Sequence, residues 1–62
     1  MKRYYIENYF DGDIILKGYY TMYFNTFKSA DNYLNEKLSK FDNFNDWYIV
    51  CEKDNIRIPL EL

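Results

Sequence analysis

Apolar positions in this chain follow a strand-like period, then a helical one, then a strand-like one again. The first segment, Arg3-Tyr4-Tyr5-Ile6-Glu7-Asn8-Tyr9-Phe10, is an aromatic-rich strand pattern running into Asp11-Gly12-Asp13, a hairpin-turn composition. Ile14 to Phe24 reads as a second strand. A three-residue loop between Phe10 and Ile14 opposes Phe10 to Ile14, Asn8 to Leu16, Ile6 to Gly18 and Tyr4 to Tyr20 on one face, with Met22 and Phe24 continuing the row. The other face receives Tyr9 with Ile15, Glu7 with Lys17, Tyr5 with Tyr19 and Arg3 with Thr21. A charge pair and an aromatic pair in register, worth ~0.2 to 1 kcal/mol each, place that second face outside and the even-numbered face in the core.

After Asn25-Thr26, Phe27, Ala30, Leu34, Leu38 and Phe41 recur every three or four residues, one apolar stripe of a helix. Thr26 or Ser29 is placed to cap its N-terminus, with Asp31 near the positive end of the dipole and Lys37 and Lys40 near the negative end. The Asx-rich stretch Asp42 to Asp46 makes a connection. Trp47 to Lys53 is a third strand, and Asp54-Asn55 suits a two-residue type I′ turn. That turn opposes Trp47 to Leu62, Ile49 to Leu60 and Cys51 to Ile58 on an apolar face, and Glu52 to Arg57, Val50 to Pro59 and Tyr48 to Glu61 outside. Pro59, which has no N–H to give a ladder, marks the last strand as an edge. The expected fold is a single α+β domain over residues 1–62. It is a two-layer sandwich in the order β-β-α-β-β, whose four-stranded antiparallel sheet, in strand order 2-1-3-4, carries one helix on one face.

Length adds a constraint. A domain of 62 residues buries only ~60% of the surface its unfolded chain exposes, so it needs outside support more than a larger one does. Cys51 is alone and histidine is absent, which removes an internal disulfide and a Cys/His zinc set; association is the support that remains. The lone thiol, the start Met1-Lys2-Arg3 leading straight into strand-like sequence and the lack of a long apolar run point to a cytoplasmic protein without a membrane span. A net charge of -2 has the wrong sign for neutralising phosphates. Residues with AT-rich codons (Phe, Tyr, Met, Ile, Asn and Lys) make up more than half of the chain, which fits a low-GC bacterium, its phages or its mobile elements.

Catalytic chemistry is thin. Without histidine there is no Ser-His or Cys-His relay, and Cys51 falls on the core face of its strand, where it acts as a small hydrophobe. Asp11-Gly12-Asp13 lacks the further ligands and closing glutamate of a calcium loop, Asp42 and Asp46 read as solvated loop residues, and no glycine-rich phosphate loop exists. No catalytic, cofactor-binding or metal-ligating residues are assigned.

What stands out is tyrosine, 8 residues in a chain that is 23% aromatic. Tyr5, Tyr9, Tyr19, Tyr23 and Tyr48, with Ile15 and Val50, are expected on the outer sheet face, and several half-exposed aromatics together exceed the apolar patch of a few hundred Å² usual on a monomer. These seven residues are the candidate protein-binding surface. The expectation is a non-enzymatic protein-binding module, a homodimer that blocks a larger host protein sterically, most concretely a phage or mobile-element inhibitor of a bacterial defence protein. A structural or regulatory subunit of a bacterial assembly is the main alternative. A single-stranded nucleic-acid binder comes third, since no basic groove accompanies the rings.

Overall fold

The structure, a computed structural model, describes residues 2–40 and 46–60. Alternation of Tyr4, Ile6 and Asn8 with Arg3, Tyr5 and Glu7 makes Lys2–Asn8 the strand β1. Its neighbour in the sheet comes from far along the chain. The strand Trp47–Lys53, β4, lies antiparallel to β1 with Tyr4 opposite Cys51, Ile6 opposite Ile49 and Asn8 opposite Trp47. Asp54 and Asn55 both adopt positive φ, 53° and 68°, the signature of a type I′ turn. They return the chain as β5, Ile56–Leu60, with Ile49 opposite Leu60, Cys51 opposite Ile58 and Glu52 opposite Arg57, the register expected from the turn. The sheet is three-stranded in the order β1-β4-β5, and Pro59 lies on its open edge. Because the two-residue loop closes on the Lys53–Ile56 pair, alternate positions 57 and 59 turn their backbone outward. Pro59 therefore removes a donor from the row that a further strand would need.

The expected second strand is not one strand, and among the described residues the sheet has three strands instead of the expected four. Asn8 is the cause at the near end. Buried, it accepts the N–H groups of Phe10 and Asp11 on its side-chain oxygen (2.9 and 3.3 Å) while its carbonyl takes the Gly12 N–H at 3.1 Å. This turn brings Ile14 opposite Glu7 instead of opposite Phe10. The shift by an odd number of positions reverses the faces. Ile15, expected outside, packs against the core; Phe10, Leu16 and Tyr20, expected inside, are exposed. Gly18 is the cause in the middle. Its φ of +68°, followed by Tyr19 at negative φ, has the sign pattern of a type II′ turn, and the chain folds back on itself as a separate ribbon. In it β2, Leu16–Lys17, pairs with β3, Tyr20–Thr21. The chain rejoins the sheet where Phe24 and Tyr4 exchange backbone hydrogen bonds at 2.7 and 2.9 Å.

Thr26 caps the helix by accepting the Ser29 N–H at 3.1 Å. Helix α1, Phe27–Tyr33, then continues as a π-helical turn, Leu34–Leu38. Ala30, Leu34 and Leu38 are spaced four apart, and at 3.6 residues per turn each such step overshoots the stripe by about 40°. The wider turn takes up the excess and keeps all three buried against Tyr4, Ile6, Ile49 and Cys51. Asp31 lies beyond the first turn of α1, which holds no acidic residue, whereas Lys37 occupies the last turn of the π segment. Phe41, the connection through 42–45, including the candidate carboxylate Asp42, and the Trp47–Leu62 and Tyr48–Glu61 pairs fall outside the described residues.

Candidate protein-binding surface

β-Alternation puts Arg3, Tyr5 and Glu7 of β1, Tyr48, Val50 and Glu52 of β4, and Arg57 of β5 on the sheet face away from the helix. Tyr5 and Val50 sit at its centre, and neither is available to a partner: they are 6% and 0% exposed. The side chains around them form a roof. Arg3 donates from Nε and Nη2 to Glu52 Oε1 at 2.8 and 2.6 Å, and its guanidinium lies 3.6 Å above the Tyr23 ring. Tyr23 in turn sets its edge on Tyr5, with ring centroids 5.9 Å apart, and directs its hydroxyl to Glu52.

The other half of the roof is built by Arg57. It is opposite Glu52 in register, yet it extends two same-face rows along the sheet, donating to the Tyr5 hydroxyl at 3.4 Å and to Glu7 Oε2 at 2.7 Å. Tyr48 donates its hydroxyl to the same Glu7 oxygen and accepts from Arg57 at 3.3 Å. Lys17, the expected partner of Glu7, is on the ribbon, and the expected Glu52–Arg57 pair is exchanged for Arg3–Glu52 and Arg57–Glu7. Hydrogen bonding to Tyr5 is the leading cause that raises the Arg57 pKa, and bonding to Glu52 does the same for Arg3.

Tyr48 is the group here whose titration reports on the fold. Its hydrogen bond to Glu7, then partial desolvation, hold its pKa above the ordinary value of 10.0. Ionisation would end the donation and set a phenolate beside a carboxylate. An acid whose pKa is raised on folding releases its proton first from the unfolded chain, so this stabilisation is complete below pH 10 and is lost as pH rises through the folded value. Thermal melts across that range are expected to show a falling Tm, and Tyr48→Phe is expected to flatten the dependence. An unchanged slope in the variant would remove Tyr48 as its source.

Of the seven candidate residues, then, Tyr5, Tyr23, Tyr48 and Val50 share a face. Tyr9 lies at its margin in the turn after β1, 6.3 Å from the Tyr48 ring, and Ile15 is on the opposite side against the core. Tyr19 is at the tip of the ribbon and 96% exposed. Most of the exposed apolar surface is elsewhere: Tyr20 is 80% exposed, Phe10 76%, Tyr9 66% and Leu16 55%, with Ile56 and Ile58 exposed separately on β5. Tyr20 and Leu16 belong to the ribbon, Tyr9 and Phe10 to the turn. Alternation alone assigns Phe10, Leu16 and Tyr20 to the core; the Asn8 turn moves Phe10 and Leu16 out, and for Tyr20 the signal in the sequence is Gly18, the one residue in 14–24 suited to a turn.

Among the described residues no three cysteine, aspartate or glutamate side chains converge as metal ligands, and no helix is long and apolar enough to cross a membrane. An open depression of about 290 Å³ borders Arg3, Glu52, Asp54 and Asn55, with Arg3 and Glu52 already engaged with each other. No protein-family model, curated protein or solved structure matches the chain.

Proposed function

We propose that this protein is a small non-enzymatic protein-binding module acting by steric blockade, and that the ribbon Leu16–Thr21 is its main contact element. The observation that carries this reading is the ribbon itself. A hairpin with two residues per strand is marginal by itself in water, and this one spends its large side chains, Leu16, Tyr19 and Tyr20, on solvent instead of on the core. Tyrosines of this kind serve as interface anchors, giving area with few rotatable bonds and a hydroxyl for orientation. Lys17 is the ribbon's only charge, so the complementary surface is an apolar groove with a carboxylate at its rim. A host defence protein blocked by a phage or mobile-element inhibitor is the concrete version of this proposal, supported by small size and AT-rich composition.

The test is capture from a low-GC bacterial lysate on immobilised wild type and on Tyr19→Ala/Tyr20→Ala. One predominant protein is expected on the wild type, recovered about tenfold less or lower on the variant, the loss typical of truncated anchors. Equal recovery on both, or recovery of nucleic acid alone that salt releases, would sink the reading.

A further inference from the structure

We infer that, in the absence of a target, the ribbon is covered by a second copy of this chain, whose exposed turn Tyr9–Asp13 receives it. The inference rests on the reading of the ribbon as the contact element, and it names the ligand chemistry: two exposed rings beside a carboxylate. Ribbon and turn leave the sheet on either side of Ile14-Ile15, anchored by the Glu7–Ile14 bridge and by the Ile15 N–H donating to the Ile6 carbonyl at 3.0 Å. They are therefore neighbours on one edge of the molecule. Their chemistry is complementary. The turn presents Tyr9 and Phe10, ring edge to ring face with centroids 5.4 Å apart, next to Asp13; the ribbon presents Leu16, Tyr19 and Tyr20 next to Lys17. Asp13 and Lys17 are exposed, and neither side chain has a hydrogen-bond or ion-pair partner among the described residues.

A two-fold axis satisfies both patches at once, since the ribbon of one copy on the turn of the other implies the reverse contact. The area is sufficient. The five apolar side chains expose on the order of 700 Å² on one copy, and covering both copies buries roughly 1,400 Å², within the range of about 1,200–2,000 Å² of specific interfaces. Dimer and target then compete for the same ribbon, which makes the dimer a masked form.

Charge reversal tests this. Lys17→Glu sets a glutamate against an aspartate at each of the two contacts and Asp13→Lys a lysine against a lysine, so in sedimentation velocity each variant alone is expected to dimerise at least about tenfold more weakly than wild type. An equimolar mixture of the two restores attraction at both contacts and is expected to give a heterodimer. Circular dichroism checks that both variants are folded; should either fail, lowering of the wild-type dimer by Tyr20→Ala serves instead. A wild type that stays monomeric up to roughly 1 mM, or a dimer unaffected by either reversal, overturns the inference. Neither result touches the target-binding reading, which stands or falls on capture by the ribbon.

Discussion

Tyr5→Ala is expected to cost about 3–5 kcal/mol, the range for removing a large buried aromatic, whereas Tyr19→Ala is expected to stay within ~0.5 kcal/mol. Both residues belong to the same tyrosine-rich pattern, and the difference comes entirely from what lies above them. Tyr5 carries the Tyr23 ring edge on one side and receives the Arg57 guanidinium on its hydroxyl. Removing it opens a cavity beside the fully buried Val50 and strips Arg57 and Tyr23 of their support. A domain of this length has roughly 3–9 kcal/mol in total, and each kcal/mol moves Tm by about 4–8 °C. Urea denaturation should therefore find the Tyr5 variant largely unfolded and the Tyr19 variant indistinguishable from wild type. Equal midpoints for the two would mean that the roof contributes nothing.

Ile6→Ala is expected to be the comparable loss on the helix side, about 2–5 kcal/mol. Ile6 has no exposed surface and meets the helix through the cluster of Ala30, Leu34 and Leu38. Its carbonyl also accepts the Ile15 N–H, where the chain rejoins the sheet before the ribbon. Truncation thus thins the core at the point where helix, sheet and ribbon base converge. The check is the same denaturation experiment with hydrogen exchange added: the Ile15 amide should lose protection together with β1. Retained protection at Ile15 would show that the ribbon base is held independently of the core.

How much of this was legible beforehand depends on what set each register. The hairpin of β4 and β5 could be read residue by residue because Asp54-Asn55 permits one turn type and that turn fixes every later pair. The helix stripe could be read from spacing, though not the widening at Leu34–Leu38 that keeps it aligned. The first hairpin could not, because Asp11-Gly12-Asp13 looked like the turn while the determining group was the side chain of Asn8, which draws Phe10 and Asp11 back onto itself. A single odd shift then moved Ile15 inward and Leu16 outward. For the candidate surface, alternation located Tyr5, Tyr48 and Val50 on one face correctly in space. It could not show that Arg3 and Arg57 lie across that face, since a long flexible side chain leaves no trace in periodicity.

The pairing of β1 with β4 has a consequence for the order of events at synthesis. Residues 2–8 find a continuous ladder in residues 47–53, so at 5–20 residues per second the first strand waits roughly 2–9 s for that strand to be made. Throughout that interval β1 has only the isolated bridges to Ile14 and Phe24 on its other edge. Completion of the sheet is then a late event, governed by long-range closure instead of growth from the first residues.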